Sequence, residues 1–167
     1  MRIFFEGSAL EESRKRETAI GDLVADSMVW YTRSMNLRAG FSIQNGGGIR
    51  TDIPEGRIAK KTVYSILPFD NSVAVVTLKG SGLQALFDFL ATIPRGSGAF
   101  PQVSEGVKFS INYHTGKCAN IAINGQPIDA AKLYRVATNS YMAAGRDGYQ
   151  ALLKAWSTTP RSFKGMP

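Results

Sequence analysis

From Thr18 onward apolar residues recur at helical spacing, with Ile20, Leu23, Val24, Met28 and Tyr31 on one face. The pattern predicts a helix capped at Thr18 or the preceding Glu17, with Gly40 following its end. Residues 41–44 read as a short strand that runs into three glycines. Residues 60–67 predict a brief helix that stops before Pro68, because the residue preceding a proline is pushed out of the helical region. Residues 73–78 form a continuous valine-rich run, the pattern of a buried strand. Gly80-Ser81-Gly82 punctuates it, and Leu83, Leu86, Phe87 and Leu90 then mark the inner face of a second helix.

After a glycine-containing loop at 94–98 the period changes to two. Val107, Phe109 and Ile111 alternate with polar residues, as do Ile121 and Ile123, and Asn124-Gly125 follows as a turn signal. Tyr134, Val136 and Thr138 predict another strand. A loop over 139–148 leads to a short helix over 149–156, and the polar end of the chain, 156–167, reads as an irregular tail. Helices interleaved with strands, with hairpins late in the chain, predict an α/β (α+β) fold. It has a mixed β-sheet with helices packed on it, in a single domain over 1–167.

Composition narrows the chemistry more than the fold. The chain is 44% hydrophobic and 20% charged, ordinary for a globule, and no apolar run is long enough to span a bilayer. Met1 to Phe5 passes straight into Glu6-Gly7-Ser8, so this segment opens with no signal-peptide pattern. Cys118 is the only cysteine, which excludes an internal disulfide and a cysteine-based zinc site. His114, the only histidine, lies in the turn-like Tyr113-His114-Thr115-Gly116 and is expected to be a solvated turn residue. A bimetallic hydrolase centre is therefore not expected from this chain's own side chains, and no catalytic or metal-ligating residue is assigned. The net charge of +7 favours anionic partners. Specific nucleic-acid binding is not expected, since no recognition-helix or RNP pattern is present.

Four segments concentrate residues suited to binding. Arg14-Lys15-Arg16-Glu17-Thr18 puts three cations near a helix N-terminus, where open N–H groups favour an anion. Asn45-Gly46-Gly47-Gly48-Ile49-Arg50 follows a strand and allows close backbone approach to a ligand; without Gly-Lys-Ser/Thr it is not a P-loop. Leu67-Pro68-Phe69-Asp70-Asn71 offers a loop phenylalanine, which can be a core plug or a stacking platform. The segment from Asn139 to Tyr149 carries Tyr141 and Asp147 among small residues.

Together with Ser97-Gly98-Ala99-Phe100-Pro101-Gln102, these segments resemble the C-terminal, substrate-binding domain of the 5′-nucleotidase, UDP-sugar hydrolase and cyclic-nucleotide phosphodiesterase family. The marks stand in the family's order and extend from Arg14 to Tyr149, nearly the whole chain. The resemblance implies that Phe69 and Tyr141 sandwich a base and that Asp147 holds ribose hydroxyls. It places Asn45 and Asn71 near base and sugar, the Gly98 backbone along the pocket, and Arg14 and Arg50 at the anionic or ribose end. These roles suit the chemistry, because aromatic faces stack on any base and guanidinium matches phosphate oxygens as a fork. Three departures stand out. Leu10 replaces an arginine that some relatives carry, Tyr141 replaces the usual phenylalanine, and Arg146 interrupts the family's Gly-Gly-Asp-Gly.

The resemblance further implies a nucleoside or nucleotide ligand and, in the intact protein, an N-terminal metallophosphoesterase domain with two divalent metals. It also implies a periplasmic or extracellular location. A fragment of such a hydrolase is the favoured reading; a stand-alone nucleotide-binding module without catalysis is the alternative.

Overall fold

The computed structural model describes residues 9–153 and 158–161. A single helical turn, α1 (Ala9–Glu12), precedes the long helix α2 (Ala19–Ser34), whose N-cap is Thr18: its hydroxyl accepts from the Gly21 N–H at 3.1 Å. Strand β1 (Phe41–Asn45) follows, then a 3₁₀ turn over Gly46–Gly48, helix α3 (Lys60–Ile66) and strand β2 (Val73–Lys79). Helix α4 (Gly80–Leu90) leads to β3 (Pro101–Val103), β4 (Val107–Asn112), β5 (Lys117–Ile123), the short β6 (Gln126–Pro127) and β7 (Leu133–Asn139). Two short helices, α5 (Ser140–Ala143) and α6 (Gln150–Leu153), flank a 3₁₀ turn over Arg146–Gly148, and β8 (Thr158–Arg161) closes the described chain.

The strands form two sheets. One is mixed, in the order β3-β1-β7-β2-β8; the other is antiparallel, β4-β5-β6. Strands β1 and β7 run parallel, Phe41 opposite Val136, whereas β2 runs antiparallel to β7 with Val73 opposite Asn139. Strand β3 runs antiparallel to β1, pairing Asn45 with Pro101. The ends of β1 and β7 and the beginnings of β2 and β3 therefore share one sheet edge, and each segment that joins these four ends carries a candidate binding residue. Ligand sites in α/β sheets commonly lie outside the carboxyl ends of parallel strands.

The valine-rich run is buried because both faces of β2 are covered. Ala74, Val76 and Leu78 join Leu83, Leu86 and Phe87 of α4 in the main core. Val73 and Val75 face Met28 and Tyr31 of α2 on the other side. On the small sheet, Val107, Phe109 and Ile111 lean onto the main core while their neighbours face solvent.

Several expectations are corrected. Leu23 is 54% exposed, off the buried stripe of α2. Gly80-Ser81-Gly82 opens α4 rather than interrupting the chain; the Gly80 N–H donates to the Lys132 carbonyl at 2.8 Å, so tertiary contacts hold that turn against glycine's poor propensity. The 139–148 loop contains α5, and the late hairpins form their own sheet. The tail is not irregular throughout, because 158–161 pair antiparallel with β2 as β8, with Val76 opposite Thr158. Of the helix read over 149–156, residues 150–153 are helical; its last part, Trp156 included, lies outside the described residues, as do 162–167.

Candidate functional site

Asn139, the last residue of β7, caps α5 by accepting from the Met142 N–H at 2.8 Å, which turns Tyr141 outward at the sheet edge. Tyr141 is 42% exposed, and its hydroxyl donates to Asp147 Oδ1 at 2.9 Å. Asp147 sits in a left-handed backbone conformation (φ 54°), with Gly145 (φ 74°) and Gly148 (φ 87°) also at positive φ, and its carboxylate meets the end of β1. There Asn45 Nδ2 donates to its Oδ2 at 3.0 Å. Asn45 is buried and its amide is oriented in turn: Asn139 Nδ2 donates to Asn45 Oδ1 at 2.9 Å and to Gln44 Oε1 at 3.0 Å. Each carboxylate oxygen of Asp147 is thus held by one donor, and a carboxylate has acceptor capacity for about four.

Phe69, 52% exposed, projects from the loop that enters β2. Two bonds tie that loop to α5: Ser140 N–H donates to Ser72 carbonyl at 2.8 Å and Ser72 N–H to Ser140 Oγ at 3.1 Å. Ser140 Oγ also donates to Asn71 Oδ1 at 3.3 Å. On its other side the Arg50 guanidinium carbon stands 5.8 Å from the Phe69 ring centre, and Arg50 donates to the Gly47 carbonyl at 3.4 Å. The contacts close a circuit: Asn45 to Asp147, Tyr141, Ser140, Asn71, Phe69, Arg50, and back to the glycine turn.

The glycine turn fits its neighbours at backbone distance. Gly47 N–H donates to Gly98 carbonyl at 2.8 Å, and a Cβ on Gly47 would lie 2.8 Å from the Gly98 Cα. A Cβ on Gly46 would overlap the Ser13 carbonyl, so the strand end, the Gly98 loop and the Arg14 segment meet in one place. Arg14 is half-buried, and its Nε is buried without an acceptor among the described residues. Its two companions are turned elsewhere: Arg16 pairs with Glu12 at 2.6 Å, and Lys15 is exposed. The N-terminus of α2 is less open to an anion than the sequence suggests, since the Thr18 hydroxyl already takes the Gly21 N–H.

All eight sequence-selected residues, Arg14, Asn45, Arg50, Phe69, Asn71, Gly98, Tyr141 and Asp147, lie in this neighbourhood. Sequence reasoning assigned no role to Gln44, Asn139, Ser140 and Gln102, which bond to Asn45, to Asn71 or to the segments that carry Tyr141 and Arg14. Asn139 before a small-residue helix is a recognisable capping signal; Ser140 and Gln102 have none, because their partners are distant in sequence.

The titratable groups divide by location. The Tyr141 phenol is raised above its ordinary value, first by its hydrogen bond to Asp147 and then by burial. Away from the site, burial and the nearby Glu17 and Asp26 carboxylates push Asp22 up to about 6. Burial raises the Cys118 thiol to about 11, which leaves it an inert core residue. Asp22 borders a separate open cleft of about 870 Å³, with Arg95, Glu105 and Phe109, that contains none of the eight residues. Among the described residues no three His, Cys, Asp or Glu side chains are grouped to hold a metal ion. His114 is exposed in the β4–β5 turn, as expected. Among the described residues no helix is long and apolar enough to cross a membrane.

Comparison with known proteins adds independent findings. Residues 4–154 match the family described as 5′-nucleotidase, C-terminal domain. The trifunctional nucleotide phosphoesterase protein YfkN of Bacillus subtilis (strain 168) is 36% identical over 154 residues, covering 87% of this chain and 10% of that protein. Protein UshA of Escherichia coli (strain K12) is 37% identical over 114 residues, 68% of this chain and 20% of that protein. The crystal structure of a 5′-nucleotidase precursor from Thermus thermophilus matches with a TM-score of 0.77 and 31% identity, over 92% of this chain and 31% of that one. The chain therefore spans less than a third of the length of these relatives.

Proposed function

Because the chain belongs to the family of 5′-nucleotidase C-terminal domains, we propose that it binds a nucleoside or nucleotide at the edge where β1, β2, β3 and β7 meet. The circuit of contacts running through Asp147, Tyr141, Asn71, Phe69 and Arg50 carries this reading. Two aromatic rings stand exposed, one on the loop entering β2 and one on α5, whose backbones are hydrogen-bonded together, a poor arrangement for core packing and a good one for stacking on a base. Between them and the glycine turn, Asp147 keeps acceptor capacity for sugar hydroxyls. Arg50 and the unpaired Nε of Arg14 supply donors for an anionic group.

In this reading the domain captures the nucleoside and presents its phosphate to a metallophosphoesterase domain elsewhere in the intact protein. Two divalent metals in that domain would activate the attacking water; the side chains described here bind and orient. The relatives' far greater length supports a partner domain of this kind. The intact protein would be a hydrolase of nucleotide catabolism, periplasmic or extracellular.

Isothermal titration of the chain with adenosine and with AMP tests the binding reading. Saturable one-to-one binding, lost in Phe69→Ala, supports it; no heat and no protection from thermal unfolding at millimolar ligand would remove it. The chain alone, supplied with Mn²⁺, Zn²⁺ or Co²⁺, is expected to show no phosphatase turnover, and robust turnover by contaminant-free chain would overturn the division of labour.

A further inference from the structure

Gln102 touches none of the eight binding residues through a side-chain bond, yet it is 1% exposed and fully engaged. Its Oε1 accepts from the Thr18 N–H at 3.0 Å and from the Thr18 hydroxyl at 3.1 Å. Its Nε2 donates to the Ser13 carbonyl at 3.0 Å and to the Arg16 carbonyl at 2.7 Å. A primary amide has two donors and two acceptor lone pairs, so this one is saturated, all of it on one six-residue segment from Ser13 to Thr18. Space is reserved for the arrangement, since a Cβ on Gly21 would overlap the Gln102 amide.

Arg14 lies in the middle of that segment. Its carbonyl accepts from the Gly96 N–H at 2.7 Å, at the base of the loop that carries Gly98, and its buried Nε has no acceptor among the described residues. The backbone on both sides of Arg14 is thus bonded to one buried side chain, while its guanidinium is left one bond short. A buried donor without a partner is costly and marks a place for an acceptor from outside.

We propose that Gln102 is the positioning residue for the phosphate end of the ligand, setting the preference for phosphorylated over unphosphorylated nucleosides through Arg14. The inference rests on the nucleotide-binding reading above and deepens it: the ligand class is the nucleoside phosphates, and the discriminating group is reached from the buried edge strand β3. Gln102→Glu is the informative change. A carboxylate keeps both acceptor bonds to Thr18 but faces the Ser13 and Arg16 carbonyls with no donor, which releases the Arg14 side of the segment and spares the cap of α2.

The experiment titrates adenosine and AMP into the chain and into Arg14→Ala, Gln102→Glu and the double variant, with a thermal melt of each. The parent is expected to favour AMP by at least about tenfold, each single variant to lose most of that preference, and Gln102→Glu to keep adenosine affinity within about twofold. Once Arg14 is gone, Gln102→Glu should remove nothing further. A purely structural role would weaken both ligands together and leave their ratio intact. Gln102→Met, similar in volume and without hydrogen bonds, is read the same way if the acid variant does not fold. In the unmodified chain the Gln102 side-chain amide resonance should shift with AMP and not with adenosine, and no shift overturns the proposal without recourse to variants. A preference lost in Arg14→Ala but kept in the Gln102 variants overturns the positioning role alone. A parent that binds neither ligand removes the nucleotide-binding reading, and this inference with it.

Discussion

The Tyr141 hydroxyl donates to Asp147 Oδ1 at 2.9 Å, joining the exposed ring of α5 to the carboxylate of the following 3₁₀ turn. The bond fixes how the ring is presented and at the same time occupies one acceptor position of Asp147.

Its first consequence is spectroscopic. The bond to Asp147, with burial second, raises the phenol of Tyr141 above its ordinary value of 10.0. A phenol held protonated by the fold adds stability below that value and loses it as pH rises through the higher native one. Asp147→Asn should bring the Tyr141 titration, followed by ultraviolet absorbance, back toward the ordinary range. An unchanged midpoint would mean that the bond does not persist in solution.

Phe69→Ala and Tyr141→Ala should each weaken nucleoside binding by about 1–3 kcal/mol, the usual worth of a base–aromatic stack. Both rings are more than 40% exposed, so the melting temperature should hardly move. Phe87→Ala is the control: that ring is fully buried against Phe41 and Phe109, and its loss should cost about 3–5 kcal/mol. If the loop variants melt as early as the core variant, the platform assignment is wrong.

Gly47→Ala should destabilise the fold by about 1–3 kcal/mol, because its Cβ would meet the Gly98 backbone at 2.8 Å and neither loop can yield without breaking the bond between them. Chemical denaturation measures this directly. A variant as stable as the parent would show that the two loops do not touch.

Asp22 gives a pH signature away from the site. Burial, Glu17 and Asp26 raise its carboxyl from 3.8 to about 6. A carboxyl whose native value is raised contributes stability that is full below 3.8 and disappears as pH climbs through about 6. Asp22→Asn should therefore flatten the stability profile in that window and raise stability at pH 7 by on the order of 1 kcal/mol, allowing for solvent screening. Melts at pH 4.5 and 7 of parent and variant decide it, and an equal loss in both would exonerate Asp22.

By itself the chain's pattern determined what local spacing can encode. The faces of α2 and α4, the buried run of β2 and the alternation in β4 follow from which side of a helix or strand must leave water. Residue types outside those elements carried the family and the eight candidate binding positions. Tertiary structure decided what depends on distant partners. Thr158–Arg161 reads as polar tail and becomes a strand because β2 offers it an unpaired edge. Gly80 begins a helix because Lys132 and its neighbours accept and cover that turn. Leu23 falls at helical spacing yet lies outside the buried arc, whose width depends on what α2 packs against. The clearest case is Gln102: an amide on a short strand has no local signature, and only the fold brings Ser13, Arg16 and Thr18 within its reach. Periodicity records burial, which each residue experiences alone, whereas a hydrogen-bond partner is a property of two places in the chain that only packing brings together.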